Sequence, residues 1–254
     1  MTSFLTDPLT LEILWQRLVT TADETATVLA RTSFSTVVGA ANDSGCVMMD
    51  ASGRAVVHAS RSLPLFNRTL PFATQALLDR FGPETLRPGD VFIANDPWLN
   101  AGHQPDVAVV TPFFYAEALV GFVGTIVHVA DVGGTLDNNN VREVYEEGLI
   151  IPMAYLYQQG RLNRTVLDFI EANVRVPETV IGDIHAQVAA NKAGAEKCIA
   201  LMEEYQLHDL QSLADEIFEL SEAAMRGAIQ AIPDGAYRSR VYVDELDKRL
   251  QIAC

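Results

Sequence analysis

Apolar and polar positions alternate along this chain with two distinct periods. Asp7-Pro8 offers an acidic N-cap followed by proline at the first helical position. Leu11, Leu14, Trp15, Leu18, Ala22, Thr25, Val28 and Leu29 then recur at helical spacing, which predicts one long amphipathic helix to about Arg31. Beyond it the period shortens. Residues 46–50 and 54–58 are apolar runs around Ala51-Ser-Gly53 and read as a β-hairpin. A short helix closed by Gly82 is predicted over 72–82. Residues 91–94, 107–111 and 119–127 are nearly continuous apolar runs, read as buried strands. After a polar loop, 141–148 reads as a short helical stretch, and 165–174, 177–206 and 209–231 as helices. A helix, then a block of strands, then a block of helices predicts an α+β fold. It has a long N-terminal helix, a central sheet that is mostly antiparallel or mixed, and a C-terminal helical block. Residues 237–243 alternate like a new strand after the turn Pro233-Asp-Gly235. Residues 1–232 are therefore expected to form the catalytic region, and 233–254 the start of a following domain that is cut short.

Two segments repeat one chemical pattern beside strand ends. His103-Gln-Pro-Asp106 and His128-Val-Ala-Asp131 each set an imidazole and a carboxylate three residues apart, and Asp96 ends another strand. Neutral imidazole with ionised carboxylate suits a divalent ion such as Mn²⁺, Fe²⁺ or Zn²⁺. A loop histidine beside an aspartate is ordinary by itself; two copies at the mouths of apolar strands make His103, Asp106, His128 and Asp131 the candidate ligands, with Asp96 in reserve. These residues share one sheet edge only if 107–111 runs antiparallel to 119–127 while 91–94 runs parallel to the latter. Gly102, Gly133 and Gly134 would allow close approach of backbone or ligand. In the acidic cluster Glu143, Glu146 and Glu147, which follows the Gly133-Gly134 loop, Glu147 is the candidate proton carrier.

Charge and composition narrow the partners. With 33 acidic against 18 basic residues the net charge is −15, which argues against nucleic acid and anionic membrane surfaces. Cys46, Cys198 and Cys254 form no Cys-x-x-Cys pair, so no disulfide framework is expected. Cys46, inside a strand, reads as a buried inert thiol. The N-terminus lacks a basic n-region and no apolar run is long enough to span a bilayer, so a cytoplasmic setting is expected. No phosphate loop, dinucleotide fingerprint or G-x-S-x-G elbow is present. His58, His185 and His208 read as structural or solvated. Asp183, Gln187 and Asn191, at i, i+4 and i+8, form a polar helix stripe; a solvated face is its default reading and the lining of a polar cleft the alternative.

Taken in order, Asp7-Pro-Leu-Thr-Leu-Glu12, Asn95-Asp-Pro97, Gly102-His-Gln-Pro-Asp106, His128-Val-Ala-Asp-Val-Gly-Gly134, Glu147-Gly-Leu-Ile-Ile-Pro152, Ala172-Asn-Val-Arg175, Gly182-Asp183, Ala186-Gln187 and Ala189-Ala-Asn191 resemble the hydantoinase B/oxoprolinase family. The resemblance covers essentially the whole chain. It implies a B-type subunit of an ATP-coupled cyclic amide hydrolase acting on a small molecule of the hydantoin or 5-oxoproline type, with ATP bound by a hydantoinase A-type partner. It also implies a metal, manganese in the related carboxylases, held by His and Asp. An α-type subunit of an acetone- or acetophenone-like carboxylase is the enzymatic alternative, and a noncatalytic fragment that docks a partner is the alternative from another class. The chain departs from the family pattern at Val129 and over 63–68, where many relatives carry histidine, so the substrate does not transfer with the resemblance. Family members of this type are also longer, in line with the expected cut.

Overall fold

The computed structural model describes residues 7–135 and 141–238. Two compact units divide the chain at 217/218. Helix α1 (Pro8–Thr32) opens the first unit, its N-terminus capped by Asp7, whose carboxylate accepts from the Thr10 amide at 3.1 Å. A four-residue turn of helix, α2 (Thr36–Gly39), leads into the hairpin β1 (Ser44–Asp50) and β2 (Ala55–His58). Then come α3 (Pro64–Phe81), β3 (Val91–Ala94), β4 (Asp106–Tyr115), β5 (Ala118–His128), β6 (Ala154–Gln158), β7 (Arg161–Leu162), α4 (Arg164–Asn173), α5 (Pro177–Glu204) and α6 (Gln211–Gln230). The fold is α+β.

The seven strands form one sheet in the order β2-β1-β5-β4-β3-β6-β7, every neighbour antiparallel. Because β3 and β5 both run opposite to β4, they run parallel to each other, as the shared edge requires. Side chains on a strand point alternately to the two faces. Val91, Ile93, Val107 and Val109 therefore pack on one side with α1, α4 and α5 residues such as Leu29, Ile170 and Ile184. Phe92, Ala94, Ala108 and Val110 pack on the other with Phe66, Leu70 and Leu77 of α3. Both faces are covered, which explains why these strands read as unbroken apolar runs rather than as an apolar–polar alternation.

Three local readings change. The helix predicted from residue 72 begins at Pro64 and runs through Pro71. Proline inside a helix costs about 3 kcal/mol through its missing N–H and steric clash. Burying Phe66 and Leu70 is worth roughly 1.5–3 kcal/mol each, and both are essentially inaccessible, so tertiary burial outweighs the local penalty. Pro64, in the first turn, is well placed for a start. The hairpin β6–β7 was not legible: its loop is Gln159-Gly160, both at positive φ (48° and 77°). A primed turn usually advertises itself by Asn or Asp at the first of those positions. Within 141–148 only the tight 3₁₀ turn Val144–Glu146 is helical.

The second unit, 218–254, contains the remainder of α6 and a turn in which Tyr237 Oη donates to the Pro233 carbonyl at 2.5 Å. The strand expected over 237–243 lies mostly outside the described residues. No described helix is long and apolar enough to cross a membrane. The two described cysteines, Cys46 and Cys198, are free and buried; burial drives both thiols upward, Cys198 to about 12, so neither is a nucleophile near neutral pH.

Candidate metal centre

The centre grows out of the β4–β5 register. Asp106 opens β4 and His128 closes β5, and the two residues stand opposite each other at the sheet edge. The Val129 amide donates to the Pro105 carbonyl at 2.8 Å, locking the two strand ends together just beyond that pair. His103 arrives on the loop between β3 and β4, and buried amides fix that loop. Asn95 Nδ2 donates to the Gln104 and Leu149 carbonyls at 2.8 and 2.9 Å, and its Oδ1 accepts from the Ile151 amide. Asn100 Nδ2 donates to the Ala94 carbonyl at 2.9 Å. With Asn95, Asn100 and Gln104 all buried, the loop is cross-braced to the segment 144–151 rather than free to swing.

This places three side chains together. His103 Nε2 lies 2.9 Å from Asp106 Oδ2, and His128 Nδ1 lies 3.2 Å from Asp106 Oδ1. The imidazole rings are 5.0 Å apart between centroids. One potential ligand atom from each of the three residues lies within 4.8 Å of the others. Asp106 is buried, whereas the two imidazoles are partly open to solvent. Burial pushes the Asp106 carboxyl upward, but hydrogen bonds from His103 and His128 more than offset it, so its pKa lies below the usual carboxylate value. His103 moves the other way: its hydrogen bond to Asp106 raises it against the opposing effect of burial, and Glu147 and Asp43 add to the rise.

Asp43 is a contributor that sequence reasoning missed. It precedes β1, its carbonyl accepts from the His128 amide at 3.2 Å, and its charge reaches His103. The only signal in the sequence was its place at the mouth of a strand, shared with Asp96.

Of the five residues proposed as ligands, the structure gathers His103, Asp106 and His128 and leaves two outside the cluster. Both Asp131 oxygens are committed elsewhere: Oδ1 accepts from the Gly133 amide at 3.1 Å and from Arg175 Nη1 at 2.6 Å, and Oδ2 from the Arg175 amide. Arg175 also donates to the Gly133 and Gly134 carbonyls. Asp131 thus serves as the anchor of the 131–135 loop. Asp96 stabilises a turn, its Oδ1 accepting from the Trp98 amide at 3.0 Å and its carbonyl from Leu99 and Asn100.

Glu147 is half-buried and holds the Gln104 amide at 2.9 Å through Oε2. Together with both histidines and the 129–135 loop it lines a cavity of about 390 Å³. The glycines of that loop make room for backbone. A Cβ on Gly134 (φ +62°) would stand 2.4 Å from the Glu147 backbone, and one on Gly133 (φ +83°) 2.5 Å from the Asn173 carbonyl oxygen. Gly102 sits in open space at φ +95°.

The polar stripe on α5 is buried, not solvated. Asp183, Gln187 and Asn191 are each fully inaccessible. Asp183 Oδ1 accepts from the Phe34 and Ser35 amides at 2.7 and 3.1 Å, tying α5 to the end of α1. Gln187 Nε2 donates to the Val107 and Thr125 carbonyls at 3.0 and 3.1 Å, and Asn191 Nδ2 to the Val109 carbonyl and Thr111 Oγ1 at 3.0 and 3.2 Å. These amides pin the helix to the β4–β5 seam, starting one residue along β4 from Asp106.

Comparison with known proteins bears on what such a site does. The Hydantoinase B/oxoprolinase family model matches residues 7–254. The B component of a putative D-/L-hydantoinase from Pseudomonas sp. strain NS671 is 34% identical over 94% of this chain and 41% of its own length. The 5-oxoprolinase of Saccharomyces cerevisiae is 32% identical over 79% of this chain and 17% of its own. The crystal structure of the ATP-dependent caprolactamase from Pseudomonas jessenii superposes with a TM-score of 0.83 at 27% identity, covering 94% of this chain and 41% of that one. The chain therefore spans about two fifths of the length of the hydantoinase and caprolactamase relatives, and less of the oxoprolinase.

Proposed function

Since the chain belongs to the hydantoinase B/oxoprolinase family, we propose that it is the metal-binding part of a B-type subunit that hydrolyses a cyclic amide, working with an A-type subunit that handles ATP. The observation that carries this reading is the pairing of one buried carboxylate with two imidazoles at the mouth of a cavity. The donor set fits a divalent ion: His103 and His128 supply neutral nitrogen, and Asp106 supplies an ionised oxygen whose low pKa keeps it charged. Bound there, the ion would supply Lewis-acid polarisation of the scissile amide carbonyl. Asp43 and Glu147 add negative charge near His103.

The protein's own groups account for the rest. The 129–135 loop, held by the Asp131–Arg175 pair, forms part of the cavity wall. Glu147 lines the same cavity as both histidines, oriented by the Gln104 amide, and is the candidate to carry a proton between water and the departing ring nitrogen. A volume of about 390 Å³ is at the small end for ligand cavities, large enough for a small cyclic amide.

The test has two arms. Purified protein is assayed for bound Mn, Zn and Fe, and with an A-type partner for ATP turnover on hydantoins and 5-oxoproline, against acetone or acetophenone plus bicarbonate. The expected result is about one metal per chain, lost in Asp106→Asn, with ATP-dependent ring opening. Turnover only with the ketones and bicarbonate would move the assignment to the carboxylase reading. Substoichiometric metal unchanged by His128→Ala would overturn the metal site itself.

A further inference from the structure

A second hollow lies beside the centre, and its chemistry is different. It has a volume of about 610 Å³ and sits between the C-terminal half of α1 and the turns around 39–44 and 60–62. Ala26 and Ala30, small residues four apart on α1, are among its lining residues. Its charged lining residues are Arg31, Arg61 and Asp23. Asp23 is already occupied: Oδ1 accepts from the Ser60 amide at 2.6 Å and Oδ2 from the Ser60 hydroxyl at 2.9 Å. Neither the Arg31 nor the Arg61 guanidinium has an ion pair or hydrogen bond among the described residues. In a chain with 33 acidic and 18 basic residues, two arginines without carboxylate partners line this one hollow. Arg17, Arg54, Arg164, Arg175 and Arg226 are ion-paired. The guanidinium groups of Arg68, Arg80, Arg87, Arg142 and Arg161 have no carboxylate partner among the described residues either, so what marks Arg31 and Arg61 is that both line one hollow.

The nearby helix end does not consume these arginines. The last carbonyls of α1 on this side receive local hydroxyls, Thr32 Oγ1 on Val28 and Ser33 Oγ on Ala30. Guanidinium forks match the planar spacing of carboxylate and phosphate oxygens. Ser44, which also lines the hollow, adds a hydroxyl.

We propose that this hollow is an anion-binding subsite that holds the oxyanion of a small molecule, a phosphate monoester or a carboxylate, between Arg31 and Arg61. Its position ties it to the metal centre. Asn42 and Ser44 line the hollow, and Asp43 between them carries the carbonyl that receives the His128 amide. The inference stands on the hollow and its arginines and does not depend on the metal reading.

Calorimetric titration tests it, with inorganic phosphate and acetate as separate probes at constant ionic strength set with chloride. One saturable site per chain is expected, weakened by about tenfold or more in Arg31→Met and in Arg61→Met, the loss of a charge-assisted hydrogen bond or two. Arg61→Lys should keep part of the affinity, because the charge stays while the fork is lost. Tighter phosphate binding identifies a phosphoryl-bearing ligand and tighter acetate binding a carboxylate; both support the subsite. Both arginines are exposed, so the variants should fold, and unchanged circular dichroism and thermal midpoints check this. Metal content measured on the same preparations should not change, which separates this subsite from the metal centre. Failure of both anions to saturate, or equal affinity in the Arg31→Met/Arg61→Met double variant, overturns the proposal.

Discussion

Replacing Gln187 by alanine tests whether α5 is fastened to the sheet by its amides or merely rests on it. The side chain is fully buried and donates to two carbonyls of the β4–β5 pair. Each such bond is worth about 1 kcal/mol net, and the partly collapsed void left by truncation adds roughly another 1 kcal/mol. The expected loss is therefore about 3 kcal/mol, or roughly 6–12 °C in Tm at this chain length. Gln187→Met keeps the volume. It also removes Gln187 Oε1, which is buried with no partner in the structure. That variant leaves no void but loses both donated bonds, so it should still fall by about 2 kcal/mol. Thermal and urea unfolding followed by circular dichroism would measure both. Because Val107 pairs with Val127 directly behind the Asp106–His128 pair, both variants should also weaken metal binding. Parental Tm in Gln187→Met, which keeps the volume and loses only the two bonds, would refute the claim that the stripe pins the helix.

Other outcomes follow from the centre and its loops. Asp106→Asn removes the charge that both imidazoles share, and metal affinity measured by chelator competition should fall by at least the roughly 10–100-fold typical of lost supporting groups; unchanged affinity would contradict the assignment. His103 has its folded pKa raised above 6.5 by Asp106. In metal-free protein its stabilising contribution is thus fully present below pH 6.5 and fades as pH rises through the folded value. A Tm–pH profile in chelator, compared with His103→Ala, should show that fade only in the parent, while metal affinity climbs over the same range because the ion competes with the proton. Gly134→Ala puts a Cβ 2.4 Å from the Glu147 backbone at φ +62° and should destabilise by more than about 1 kcal/mol. A neutral effect on unfolding would mean that the loop can re-seat.

Which parts of this molecule were legible depended on how local their causes are. The long helix was readable because its cap, its proline and its apolar stripe all lie within its own span. The antiparallel β4–β5 pair could be inferred because so short a connection leaves little other geometry, and the pairing in turn brings Asp106 and His128 together. Asp131 looks identical to Asp106 in sequence, three residues after a histidine at a strand end. What separates them is Arg175, 44 residues away, which captures one carboxylate and leaves the other to the imidazoles. No local pattern could announce that choice. The α5 stripe failed for the same reason. Three polar residues on one helical face are normally a wet face, and only the placement of the β4–β5 seam turns Gln187 and Asn191 into buried fasteners.

That failure bears on function. A candidate metal centre at the end of two strands needs those strands held in register, which the β4–β5 ladder and the Val129–Pro105 bond begin to do. Apolar packing alone resists sliding weakly, since one valine fits much like the next. Directional amide bonds from α5 to named carbonyls of both strands do resist it, because a slip would leave the donors buried without partners, at about 1–3 kcal/mol each. The buried polar stripe is thus the far-side counterpart of the site. Asp106 and His128 are candidate ligands at the end of the seam, and Gln187 and Asn191 help to fix the register in which the two residues meet.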